Sequence, residues 1–76
     1  MLTPRDHAIL RFEEQRWKYA GAKETAINET FGLNVTTYYA RLNRLLDEPD
    51  ALAYAPMVVK PLRRLREKRR DVRTSA

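Results

Sequence analysis

The sequence has no cysteine and one histidine, His7. Disulfides and thiolate metal centres are therefore excluded. A single imidazole cannot build a histidine-rich zinc site, so no metal residue and no cofactor is expected. The only serine is Ser75, and glycine occurs only at Gly21 and Gly32, too sparsely for a glycine-rich phosphate loop. No carboxylate pair falls in an acid–base arrangement. An enzyme is not expected, and no catalytic residue is assigned. No apolar run approaches the ~20 residues that cross a bilayer. Met1–Asp6 lacks the apolar core of a signal peptide. The expectation is a cytoplasmic protein with no membrane partner.

What is present is charge, unevenly placed. In 76 residues the formal net charge is +5. Residues 1–59 carry seven Lys/Arg against eight Asp/Glu, whereas residues 60–76 carry eight against two. The positive excess belongs entirely to the C-terminal segment. A basic tail on a near-neutral body suits a polyanionic partner. A chain this short makes one small domain with a marginal core.

The pattern predicts an all-α fold. Thr3-Pro4-Arg5-Asp6 reads as a cap, a first-position proline and a first-turn acid. A helix over about 4–19 follows, with Ile9, Leu10, Phe12 and Trp17 on one face. Glu13 falls within that face and calls for a cationic partner, since an unpaired buried carboxylate is costly. Ala20-Gly21-Ala22 reads as a turn. Helices are then expected over 22–31 and 35–47, separated by Gly32 as a C-terminal stop and Asn34 as an N-cap. A short helical turn spans 49–54. The last helix, from Pro56 to about Arg70, contains Pro61, which predicts a kink near Met57 or a start close to Pro61. Residues beyond Asp71 are expected to fray. Residues 1–54 thus form a core domain, and 55–76 a basic C-terminal helix and tail.

Glu24–Asn43 carries the functional signal. Ile27, Phe31, Leu33, Tyr38 and Leu42 have the spacing of a helix-turn-helix seam around Gly32. Such a seam makes the next helix project from the body, ready for the major groove. Asn28 stands where a small residue is usual. A plain three-helix bundle has the same periodicity. The projecting helix would offer Thr36, Thr37, Tyr39, Ala40, Asn43 and Arg44. Hydroxyls at a helix start suit phosphate, Asn suits adenine, and Ala or a Thr methyl suits the thymine methyl. Of the adjacent tyrosines, Tyr38 is expected inside and Tyr39 partly exposed. Arg63, Arg64, Arg66, Arg69 and Arg70 are the candidate phosphate contacts.

Several runs also carry a resemblance: Thr3-Pro4-Arg5-Asp6, Phe12-Glu13, Trp17 to Glu24, Tyr38-Tyr39 with Leu42-Asn43 and Leu46-Asp47, and Ala51-Leu52-Ala53. Over roughly Leu2 to Arg70 the chain resembles the small helix-turn-helix proteins of actinobacteria and their phages, a family of unknown function. Pro61 and Ala55 depart from its pattern. The resemblance implies a helical, DNA-binding protein and assigns no ligand, target or catalytic residue.

The reading is a three-helix helix-turn-helix core with a basic C-terminal helix. It is expected to bind double-stranded DNA as a transcriptional regulator or architectural factor, associated with the nucleoid. A homodimer would fit the two-fold symmetry usual for this motif. The alternative is a protein-interaction module, a phage or host factor docking on transcription machinery.

Overall fold

A computed structural model describes the backbone of residues 1–75 and the side chains of residues 1–69. Among the described residues every regular element is a helix. Thr3 opens the first, α1 (Pro4–Phe12). Its hydroxyl accepts from the Asp6 amide at 3.1 Å, while the Asp6 carboxylate accepts from the Thr3 amide at 2.9 Å. This reciprocal box satisfies amides that a helix start leaves unpaired.

α1 stops at Phe12, well short of the expected Tyr19. The cause is tertiary. Residues 13–19 fold back so that the Trp17 ring lies 5.4 Å from the Phe12 ring. In a continued helix Trp17 would stand about 140° round and ~7.5 Å along from Phe12, out of ring contact. The second helix, α2, covers Ala20–Phe31, so Gly21 is its second residue and not the predicted turn. A glycine is tolerated there because the first amides of a helix make no intrahelical bond.

Gly32 ends α2 in the left-handed region, at φ 65° and ψ 23°, with its amide donating to the Asn28 carbonyl at 2.9 Å. Only glycine adopts this conformation without steric cost. Asn34 then caps α3 (Val35–Leu45), its Oδ1 accepting from the Thr37 amide at 2.8 Å. Pro49 starts the short α4 (Pro49–Tyr54). The last helix, α5 (Pro56–Ser75), begins at Pro56 and passes through Pro61 to beyond the expected end near Arg70. The expected start near Pro61 is therefore not found. Pro61 removes the amide partner of the Met57 carbonyl. Both residues lie on an exposed face, where water can serve that carbonyl. Of the expected frayed end, Ala76 lies outside the described residues.

One continuous core joins these pieces. Ile9, Leu10, Ile27, Tyr38, Ala51 and Val59 are fully buried, with Phe12, Leu42, Leu45, Leu46, Ala55 and Val58 nearly so. Phe31 and Leu33 pack against this cluster half-buried. Ile27, Tyr38 and Leu42 thus lie within the core, with Phe31 and Leu33 at its edge. Phe12 meets Phe31 and Tyr38 edge-on at 5.4 and 5.8 Å. His7 and Tyr54 lie tilted against each other, ring centres 4.4 Å apart, and join α1 to α4. Val58 and Val59 place the first turns of α5 in the same core. Beyond Arg66 the described side chains of α5 are exposed. The radius of gyration, 13.0 Å, exceeds the ~11 Å of a compact chain this long, as a protruding helix end requires.

Candidate nucleic-acid interface

Burying Tyr38, Leu42 and Leu45 orients α3. At 100° per residue, the opposite side carries Thr36, Ala40, Asn43 and Arg44, all of them exposed. Thr37 is half-buried, and its amide is already committed to the Asn34 cap. The two tyrosines divide as expected: Tyr38 is fully buried and Tyr39 is 40% exposed.

The inner end of this surface is fixed by a buried charge. The Glu13 side chain is only 5% exposed, and Lys23 approaches it at 3.1 Å. The Tyr38 hydroxyl donates to the same carboxylate. The cationic partner that the sequence demanded is therefore Lys23, brought in by the fold-back of residues 13–19. Burial, reinforced by the hydrogen bond and charge of Glu13, raises the Tyr38 hydroxyl far above the usual tyrosine range. For Lys23, burial works against the charge, but Glu13 and then Tyr39 more than compensate and hold its pKa above the ordinary lysine value. Lys23 also stands 5.4 Å from the centre of the Tyr39 ring, which holds that ring at the edge of the surface.

The predicted arginines of α5 separate into two kinds. Arg63 Nε donates to the Leu46 carbonyl at the end of α3. Arg66 reaches α3 with both terminal guanidinium nitrogens. Its Nη2 donates to Asp47 Oδ1 at 2.7 Å, and its Nη1 to Asn43 Oδ1 at 3.0 Å and Asp47 Oδ2 at 3.3 Å. Arg63 and Arg66 thus fasten α5 to α3, and the Asn43 amide is held within the chain. Arg64 and Arg69 are exposed and make no side-chain hydrogen bond or ion pair among the described residues. The Arg70 side chain lies outside the described residues.

Two further cations of the same kind escape the sequence pattern. Arg41 lies on the exposed flank of α3 beside Arg44, and Lys68 lies on α5 beside Arg69; both are exposed and unpaired among the described residues. A helical wheel anchored on Tyr38 and Leu42 would have turned Arg41 toward the flank. Lys68 was legible only as part of the basic run.

Between α3 and the second half of α5 lies an open groove of ≈1210 Å³. Tyr39, Ala40 and Leu46 line it from one side and Leu62, Leu65 and Arg66 from the other. Among the described residues no group of three or more acids and histidines is placed to hold a metal ion. No helix there is long and apolar enough to cross a membrane.

These features define a small all-helical protein with an exposed, cation-bearing helix flanked by a basic arm. The chain belongs to the family described as protein of unknown function DUF3263, whose profile matches residues 1–74. No curated protein and no solved structure matches it.

Proposed function

We propose that this protein binds double-stranded DNA through a helix-turn-helix made of α2, the Gly32 turn and α3. In this reading it is a transcriptional regulator or architectural factor of actinobacterial or phage origin, associated with the nucleoid, and not an enzyme. The observation that carries the reading is the surface of α3. The seam around Gly32 buries its inner side, while Thr36, Ala40, Arg41 and Arg44 face solvent with no side-chain partner among the described residues. The major groove, about 12 Å wide, admits such a helix.

Arg44 and Arg41 are the residues with reach and free donors for guanine or phosphate, and Ala40 suits a thymine methyl. Asn43 can read a base only after Arg66 lets go of its amide oxygen. Arg64, Lys68 and Arg69 on α5 serve phosphates beside the groove, and Arg70 extends the same run. No catalytic, metal or cofactor role belongs to these residues.

Anisotropy of a labelled duplex, titrated with the protein at low and moderate salt, tests the reading. Binding that weakens steeply with salt is expected, because each neutralised phosphate releases a counterion. Absence of binding at low salt overturns it. Selection of bound duplexes from a random pool then reveals the site and whether it is palindromic.

A further inference from the structure

The groove between α3 and α5 has a composition that DNA alone does not use. Its floor is apolar: Tyr39 and Ala40 from α3, Leu46 after it, and Leu62 and Leu65 from α5. Leu65 is 45% exposed on a helix otherwise crowded with cations. The rim is positive. Lys23 and Arg66, whose charges already meet Glu13 and Asp47, and Lys68 and Arg69, unpaired among the described residues, border the opening. Among the described residues the one carboxylate on the lining, Glu13, is nearly buried and spent on Lys23 and Tyr38.

Phosphates would satisfy this rim and gain nothing from the floor. An apolar surface without charge would cover the floor and leave Lys68 and Arg69 unanswered. A segment that uses both carries apolar residues on one side and carboxylates on its margins. We infer that the groove receives an acidic amphipathic helix of a partner protein, its apolar residues at i, i+3 or i+4, and i+7 seated on Leu62, Leu65 and Tyr39, its Asp and Glu beside Lys68 and Arg69. A second copy of this chain is a poorer occupant, because its own α5 would bring like charge to the rim.

The groove shares Thr36, Ala40 and Asn43 with the outer side of α3. A partner seated there withdraws α3 from any duplex, so the two ligands exclude each other. The docking inference itself rests on the groove and not on the DNA reading.

The test uses the full chain and labelled peptides of about fifteen residues, long enough to form a helix on binding. One has leucines at helical spacing flanked by glutamates; a second replaces the glutamates with lysines; a third keeps the glutamates and replaces the leucines with serines. The first is expected to bind, and the second and third at least about tenfold more weakly. Leu65→Glu should weaken the first peptide at least about tenfold. Met57→Glu, at a residue 87% exposed and outside the groove, should not. Both positions are exposed, so a circular-dichroism melt will show the variants folded.

Equal binding of the serine peptide, or no effect of Leu65→Glu, overturns the proposal. So does a dimer in sedimentation that Leu65→Glu dissociates, since the occupant is then a second copy. A duplex that fails to bind at low salt ends the DNA reading and leaves the peptide result standing. If both bind, displacement of labelled duplex by the acidic peptide is expected, and simultaneous binding refutes their exclusion.

Discussion

Replacing Tyr38 with Phe removes a single oxygen from the centre of the fold and leaves the ring packing intact. That oxygen donates to Glu13, whose side chain is 5% exposed. A hydrogen bond to a charged group contributes about 1.5–3 kcal/mol. For a domain of this size each 1 kcal/mol moves the midpoint by about 4–8 °C, so Tyr38→Phe should melt roughly 6–24 °C below the wild type near neutral pH. Alkali supplies a second, sharper test. The folded state keeps the Tyr38 proton far above the usual range, whereas the unfolded chain releases it near pH ~10. The proton's contribution is thus complete below pH ~10 and is lost above it, at about 1.4 kcal/mol per pH unit. The Phe variant has no such proton to lose. Because the unfolded tyrosine is already half ionised at pH 10, the gap between the two proteins should narrow by about 1 kcal/mol between pH 10 and 11. Titrating groups away from the Glu13 cluster are common to both and cancel in the difference. Urea melts followed by far-ultraviolet circular dichroism at pH 7, 10 and 11 measure it. A gap that stays constant across the range, or no gap at pH 7, refutes the buried Tyr38–Glu13 bond.

The two glycines should respond with opposite signs. Gly32→Ala forces a side chain into the left-handed region and should cost about 1–2 kcal/mol. Gly21→Ala places a methyl in open space within the first turn of α2 and should stabilise by up to about 1 kcal/mol; denaturant midpoints separate the two. Asn34→Ala should cost about 1 kcal/mol through loss of the α3 cap, read in the same melts. Arg41→Gln with Arg44→Gln should leave the melting curve unchanged and make the salt dependence of duplex binding shallower by about 0.9 for each phosphate no longer neutralised. An unchanged slope would place the duplex elsewhere on the molecule. Arg66→Gln should cost less than about 1 kcal/mol, because its partner Asp47 is 66% exposed and exposed pairs contribute little.

Local chemistry made much of this architecture legible. Thr3, Gly32 and Asn34 each solve a problem of unpaired backbone groups within a few residues of themselves, and each marks its helix end where the sequence placed it. The apolar spacing from Ile27 to Leu42 picked out residues that do pack in or against the core. The carboxylate stranded on an apolar face announced its need for a cation, though not that Lys23 would answer it. The departures share one cause. Glu13, Glu14, Gln15 and Arg16 are good or tolerable helix formers, and nothing among them signals a stop after Phe12. The chain leaves the helix there because Trp17 and Glu13 gain more by turning back on the core. Gly21 then looked like the break that had already occurred upstream. The grip of Arg66 on Asn43 and Asp47 joins residues about twenty positions apart and exists only once α5 lies along α3. For the same reason the sequence presented Asn43 as free.

Since α5 runs unbroken from the buried Val59 through the exposed Arg69, its cations are graduations on a stiff ruler. Lys60 and Arg69 stand about 14 Å apart along the axis, and their angular order is inherited from the way Val58 and Val59 are seated. One alanine inserted after Val59 would turn everything beyond it by about 100° and advance it by ~1.5 Å. Arg66 would swing off Asp47, and Leu65 would leave the groove, while the charge count stayed the same. The basic segment is a register as much as a charge, and a permutation that preserves composition can erase it.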